Sequence, residues 1–207
     1  FIRSTPRGDP LTTARGAVDQ MPSTPWLSDF SLRSDDLATP LPSLFWTALD
    51  TPLGTMILAA RGRDERAALA GAWFVGQRHF DGPQADWQRD DEHPLLREAA
   101  TQLHDWHAGR RIDFDLPLAP EGSAFQQSIW QALSRIPHGR TCSYGELAAA
   151  VGRPGAARAV GAATGRNPLS ILVPCHRLVG RDGALTGYAG GLERKRQLLA
   201  FEAATER

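Results

Sequence analysis

Apolar positions change their spacing several times along the chain, and each change marks an element. Phe45-Trp46-Thr47-Ala48-Leu49 and Met56-Ile57-Leu58-Ala59-Ala60 flank Thr51-Pro52-Leu53-Gly54-Thr55, which predicts a β-hairpin around a Pro/Gly turn. Residues 70–75 supply a third strand. Over residues 93–108 the period lengthens: Leu95, Leu96, Ala99, Leu103 and Trp106 recur at helical spacing, and Gly109 stops the helix. Ile112, Phe114 and Leu116 then alternate with Asp113 and Asp115, the pattern of a half-buried strand. Helical spacing returns after Ser123, with Phe125, Ile129, Trp130, Leu133 and Ile136 on one side and Pro137-His138-Gly139 closing the run.

Ser143-Tyr144-Gly145-Glu146 matches a capping box, in which Ser143 and Glu146 satisfy each other's backbone donors at a helix start. A helix over 144–151, a turn at Gly152-Arg153-Pro154-Gly155 and a second helix over 156–164, ended by Gly165, make a helix-turn-helix candidate. The expected architecture is an α/β amino-terminal domain over residues 43–118 and a mainly helical carboxy-terminal domain over 122–207 that carries the helix-turn-helix. Residues 1–42, with Pro6, Pro10, Pro22, Pro25, Pro40 and Pro42 among Ser, Thr, Asp and Gly, read as a mobile arm. Phe1 opens the chain while Met21 begins Met21-Pro22-Ser23-Thr24, which leaves open whether residues 1–20 are native.

The 207 residues suffice for one large domain or two small ones, and their 23 basic and 23 acidic side chains cancel. The zero hides a division. Residues 1–121 hold 12 Lys and Arg against 18 Asp and Glu, whereas residues 122–207 hold 11 against 5. A basic half points to an anionic partner, with uneven surface charge as the plainer alternative. Lys195 is the one lysine, so the abundance of arginine reflects composition bias. No apolar run approaches the roughly 18 residues of a membrane span and no export signal opens the chain, so a cytoplasmic protein without membrane contact is expected. Cys142 and Cys175 could form at most one bridge, and no Cys/His cluster has metal-ligand spacing, so no metal site is expected.

Cys175 stands in Ile171-Leu172-Val173-Pro174-Cys175-His176-Arg177-Leu178-Val179-Gly180, with Asn167-Pro168 upstream. A free thiol has a pKa of about 8.5, so a reactive cysteine needs a base or a cation nearby. His176 and Arg177 offer both. Adjacent side chains on extended backbone point to opposite sides, so His176 reaches the sulfur only through a water or a turn made by Pro174. On these residues alone, a buried and inert small side chain is an equally good reading of Cys175.

Asn-Pro-x-x-Ile-x-x-Pro-Cys-His-Arg over 167–177, followed by Leu185-Thr186-Gly187-Tyr188-Ala189-Gly190-Gly191, resembles the active-site region of the bacterial O6-alkylguanine-DNA alkyltransferases, also called methylated-DNA–protein-cysteine methyltransferases. The similarity runs from about His93 to Glu202. It implies a ribonuclease H-like sheet in the first domain and transfer of an alkyl group from O6-alkylguanine in duplex DNA to Cys175, once per molecule and with no cofactor. O4-alkylthymine is a second lesion the resemblance admits. In such a site a water links the thiol to His176 and Glu202 orients the histidine, which together with nearby cations is expected to lower the cysteine pKa. Tyr144 gives a proton to N3 of the leaving guanine, and Asn167 fixes the site with a buried amide.

The resemblance also places the second helix in the minor groove, where Ala157, Ala159 and Gly161 allow close approach and Arg158 fills the gap left by an extruded nucleotide. Tyr144, Val173, Pro174, Tyr188, Ala189 and Gly190 are expected to wall the base pocket. Arg177 and Cys142 read as structural, and Ser170 and Ala189 depart from some relatives, which leaves the preferred alkyl group open. The protein is expected to act as a monomer. Two other functions fit parts of the pattern. A helix-turn-helix protein could sense lesions without repairing them, although Cys175 argues against that, and a Cys-His hydrolase would need an oxyanion hole and turnover.

Overall fold

The hairpin expected from the first two apolar runs forms, and a four-stranded sheet grows from it. The structure is a computed structural model that describes residues 43–205; the arm assigned to residues 1–42, including the segment before Met21, lies outside the described residues. β1 (Phe45–Leu49) pairs antiparallel with β2 (Met56–Arg61), Phe45 opposite Ala60 and Leu49 opposite Met56. β3 (Ala68–Phe74) continues antiparallel on β2, and the short β4 (Gln88–Arg89) runs parallel to β1, giving the order β3-β2-β1-β4.

Alternation along β2 divides two apolar faces. Met56, Leu58 and Ala60 join the main core, while Ala59 lies with Leu44 and Ala70 beneath Trp46, Trp73 and Trp87. Trp73 lies flat across Gly71, where a β-carbon would stand 1.7 Å from the indole. α1 (Pro94–His107) covers the main core face with Leu96, Ala99, Leu103 and Trp106, as its spacing predicts. Pro94 is tolerated because the first helical N–H has no partner within the helix.

No strand forms over residues 112–116, contrary to their alternation. Ile112 is exposed, and the backbone is held by a helix side chain instead. Gln102 of α1 accepts from the Asp115 N–H at 2.9 Å and donates to the Asp115 carbonyl at 3.1 Å. One buried amide thus supplies what a neighbouring strand would, and Phe114 and Leu116 merely lean on the core. Contact with β3 begins at Pro117, whose carbonyl accepts from Leu69 N–H at 2.8 Å, and Leu118 bridges Leu69.

The helical part opens with α2 (Ala124–Leu133), started by a Ser123–Gln126 capping box, and Ile136 is buried in the turn beyond its end. β5 (Cys142–Ser143) leads into α3 (Tyr144–Ala150) through the expected Ser143–Glu146 capping box, with bonds of 2.7 and 3.1 Å. A turn joins α3 to α4 (Ala157–Gly165). β6 (Leu178–Val179) pairs parallel with β5, and α5 (Leu192–Thr205) follows. Trp130 of α2 donates its indole N–H to the Ala163 carbonyl at 3.0 Å, tying α2 to α4.

Sheet and helices share one apolar cluster that runs from Met56 and Phe74 through Trp130 and Ile171 to Leu198. The free edge of β3 also pairs with the chain leading to Cys175. Ala72 N–H donates to the Pro168 carbonyl and Ser170 N–H to the Ala72 carbonyl, both at 2.8 Å. Among the described residues no helix is long and apolar enough to cross a membrane.

Candidate active site

Asn167 organises the chain that carries the thiol. Its Oδ1 accepts from Leu169 N–H at 3.0 Å, and its Nδ2 lies 3.3 Å from the Leu169 carbonyl, 2.9 Å from the Val173 carbonyl and 3.1 Å from Cys175 Sγ. Ile171, fully inside this loop, has φ +71°, a left-handed conformation that a β-branched residue rarely adopts. Such strain costs on the order of 1–3 kcal/mol and persists only where surroundings over-determine it. Here the Ala72 pairing on one side and the Asn167 amide on the other fix the loop. Beyond Pro174 the chain makes a single 3-10 turn, Cys175–Arg177, so thiol and imidazole leave a turn rather than extended backbone.

His176 and Glu202 meet from different elements. His176 Nε2 lies 2.8 Å from Glu202 Oε1 on α5, and both side chains are buried. Arg177 grips the same carboxylate through Nε at 2.9 and 3.1 Å and Nη2 at 2.8 Å, and also donates to the Ile136 carbonyl, which agrees with a structural role. Gly139 N–H adds a bond of 3.2 Å, and His138 Nδ1 stands 3.8 Å away. Burial opposes the Glu202 charge, but the hydrogen bonds and charges of His176 and Arg177 prevail and hold its pKa down to about 2. Burial lowers the His176 pKa against the pull of Glu202, so the imidazole is neutral at pH 7. Its Nδ1 is buried without a protein partner.

The expected lowering of the Cys175 pKa is not what the site produces. Burial pushes the thiol up, and the Asn167 bond, backbone donors and the charge of Lys195 only offset this. Cys175 is only 4% exposed, too little contact with water to solvate a thiolate well. Cys142 is also raised, by burial and by Glu146.

A cavity of about 1040 Å³ opens over Cys175. Tyr144 from the start of α3 and Ala157, Arg158 and Gly161 from α4 line one side; Arg181, Thr186, Tyr188 and Ala189 line the other. Tyr144 hydroxyl donates towards the Thr186 and Gly187 carbonyls at 3.2 and 3.4 Å. The Tyr188 hydroxyl is buried, and burial, aided by Cys175, raises its pKa well above the usual value.

Three residues expected in this wall, Val173, Pro174 and Gly190, lie outside the lining, as does Ala159, which was expected on the DNA-contacting helix. Val173 gives its carbonyl to Asn167 and faces a second cavity beside Trp130, and Pro174 is buried outside the lining. Ala159 is exposed on α4 outside the cavity. Gly190 lies beneath Tyr188, where a β-carbon would stand 2.7 Å from the ring, so it supports the wall without lining it.

Three other residues belong to the site and carry no motif in the sequence. Lys195 is fully buried, and its ammonium donates to the carbonyls of Leu178, of Thr186 at 2.6 Å and of Gly187 at 3.4 Å. Burial lowers its pKa to about 8 while Cys175 acts to raise it. A weaker signal was present: it is the one position where this arginine-rich chain uses lysine, whose compact ammonium suits three converging carbonyls better than a planar fork. Arg78 and His79, from the segment after β3, line the cavity with no local pattern to announce them. Among the described residues no group of His, Cys, Asp and Glu is arranged to hold a metal ion.

A loop that presents a buried thiol to a cation-rich cavity, with a His–Glu pair behind it, suits a protein that uses its own cysteine as a reactant. The family described as 6-O-methylguanine DNA methyltransferase, DNA binding domain, matches residues 124–204. The methylated-DNA–protein-cysteine methyltransferase of Methanosarcina barkeri is 43% identical over 159 residues, which cover 77% of this chain and 97% of that protein. The constitutive enzyme of Bacillus subtilis is 45% identical over 163 residues, 76% of this chain and 92% of its own. A crystal structure of Mycobacterium tuberculosis OGT in complex with DNA superposes with a TM-score of 0.71 at 42% identity, over 78% of this chain and 94% of that one. The chain belongs to the methylated-DNA–protein-cysteine methyltransferase family.

Proposed function

We propose that Cys175 is the acceptor in this protein's reaction, and that the array Asn167–Cys175–His176–Glu202 beneath the cavity carries it. The protein repairs DNA by direct transfer of an alkyl group from O6-alkylguanine to its own cysteine. Each molecule acts once, because a thioether resists hydrolysis.

His176, neutral and donating Nε2–H to Glu202, accepts the thiol proton at Nδ1 through a water. The thiolate, held by the Asn167 amide and the Lys195 charge, attacks the alkyl carbon. An S–C bond forms as the C–O6 bond breaks, and its electron pair leaves on the guanine. Tyr144 donates a proton to guanine N3 and regains one from solvent, so the product is neutral guanine. The observation that best supports this reading is the 3.1 Å contact between an amide donor and a buried sulfur that has no other polar side chain bonded to it.

The finer features follow from the same reading. α3, the turn and α4 act as a helix-turn-helix whose small residues enter the minor groove, with Arg158 replacing the extruded base. β4 parallel to β1 beside an antiparallel β1–β2–β3 set suits a ribonuclease H-like sheet, and residues 43–118 and 122–207 act as its two domains. Every group in the proposed reaction comes from one chain, which suits a monomer. O4-alkylthymine, which presents an alkyl carbon on a comparable exocyclic oxygen, is a second substrate, and the location is cytoplasmic.

Duplex DNA carrying radiolabelled methyl on O6-guanine should leave one label per chain on the Cys175 peptide. Cys175→Ser should abolish transfer and retain DNA binding. Continued turnover by substoichiometric protein, or label on Cys142, would overturn the assignment.

A further inference from the structure

The sheet half of the chain contributes Arg78 and His79 to a cavity otherwise built by the helical half. Residues 76–80 leave β3 and are held at several points. Gln77 Oε1 accepts from Ser170 Oγ at 2.7 Å and from Phe74 N–H at 3.2 Å, Arg78 N–H donates to the Ala189 carbonyl at 3.0 Å, and Phe80 stacks on Trp73 with ring centroids 4.4 Å apart and planes parallel. His79 adopts φ +66° between these anchors. The segment is therefore fixed across the cavity mouth while the side chains of Arg78 and His79 remain exposed.

Among the described residues most arginines of this half are neutralised locally, and Arg78 is not. Arg61, Arg63, Arg89, Arg97 and Arg110 of the same acid-rich half are each paired with a carboxylate. Arg78 has no ion pair among the described residues, and it faces a cavity that also holds Arg158 and Arg181. The one carboxylate in that lining, Glu146, is committed to the Ser143 N–H. An excess of positive charge facing a cavity suits an anionic ligand.

We propose that Arg78 binds a DNA phosphate beside the extruded nucleotide, so that segment 76–80 forms a second jaw opposite α4. This rests on the reading of the cavity as the site of an extruded base. The ligand is a phosphodiester, since the base and a methyl adduct are uncharged. Guanidinium–phosphate recognition is strong and bidentate, and each neutralised phosphate adds about 0.9 to the salt slope of duplex binding.

The test measures duplex affinity of the full chain and its Arg78→Ala and Arg78→Lys variants across salt, with transfer from O6-methylguanine duplex and from free O6-benzylguanine. Arg78→Ala should reduce the slope of log K against log salt by about 0.9 and weaken binding about tenfold, while Arg78→Lys keeps most of the slope. Transfer from duplex should fall much further than transfer from the free base, which has no phosphate. An unchanged slope, or equal losses on both substrates, would overturn the jaw while leaving the alkyltransferase reading intact. Failure of the unsubstituted protein to transfer methyl from duplex would overturn both.

Discussion

The side-chain amide of Asn167 donates to the sulfur of Cys175 at 3.1 Å and to the Val173 carbonyl at 2.9 Å, so one residue both shapes the loop and stabilises the nucleophile. Burial alone pushes the thiol up, and this hydrogen bond is the strongest influence in the other direction. The resting protein therefore keeps Cys175 protonated and shielded. In the proposed reaction the thiolate forms when the proton passes through a water to His176.

Asn167→Asp tests the balance with almost no change in shape. A carboxylate would face the sulfur and two carbonyls with negative charge, raising the thiol pKa further. Raising a thiol pKa by about one leaves roughly a tenth as much thiolate at a given pH. The pH profile of Cys175 labelling by iodoacetamide should move to higher pH, and methyl transfer at pH 7 should fall at least tenfold. An unchanged profile in a folded variant would show that the contact does not govern reactivity.

Glu202→Gln should separate structure from chemistry when combined with a second change. Alone it leaves Arg177 buried without its carboxylate, a loss of about 3–5 kcal/mol in urea unfolding. Adding Arg177→Met removes the stranded cation and should restore much of that stability. Transfer should stay slow in both proteins, because the neutral amide no longer supplies the negative charge that steadies His176 as it takes the thiol proton. Recovery of full transfer in the double variant would limit Glu202 to a structural role.

The sequence announced elements wherever local rules decided them. The hairpin, α1 and the Ser143–Glu146 capping box follow from spacing and cap chemistry, and the structure reproduces them. Residues 112–116 misled because alternation reports which side chains face the core, and Gln102, some ten residues away, decides the hydrogen bonding. Cys175 and His176 were legible as a pair, but the turn that carries them depends on Ile171 at φ +71° and on pairing with Ala72, neither of which leaves a local signature. Arg78 and His79 reach the cavity only through the sheet's packing against the Cys175 loop, a long-range fact that no window of sequence contains.

Lys195 should resist its most conservative replacement. Its ammonium satisfies carbonyls of Leu178, Thr186 and Gly187, and Tyr144 donates to two of the same groups. In Lys195→Arg the longer planar group cannot fit a pocket made for a point charge. Amide hydrogen exchange at residues 186–188 should speed up by tenfold or more, and transfer should fall with it. Unchanged protection of those amides would show that the loop holds its place without the ammonium.

Acid should weaken the fold in two stages with opposite chemistry. His107 packs its ring 5.0 Å from Trp106, and burial, with the charge of His104, lowers its pKa from 6.5 to about 4. Between those values the unfolded chain takes up a proton that the folded protein refuses, so stability is lost as pH falls from about 6.5 to about 4. Glu202, held at about 2 against an ordinary 4.5, contributes stability that disappears only as pH falls through the lower window from about 4.5 to about 2. His107→Phe should shrink the first stage, which His176 shares because burial lowers its pKa as well, and leave the second. Urea unfolding at pH 7 and pH 5 should show the variant losing less stability on acidification than the parent, by on the order of 1 kcal/mol after screening at the partly exposed ring. Equal losses in the two proteins would mean that the imidazole of His107 takes its proton in the folded state as readily as in the unfolded one.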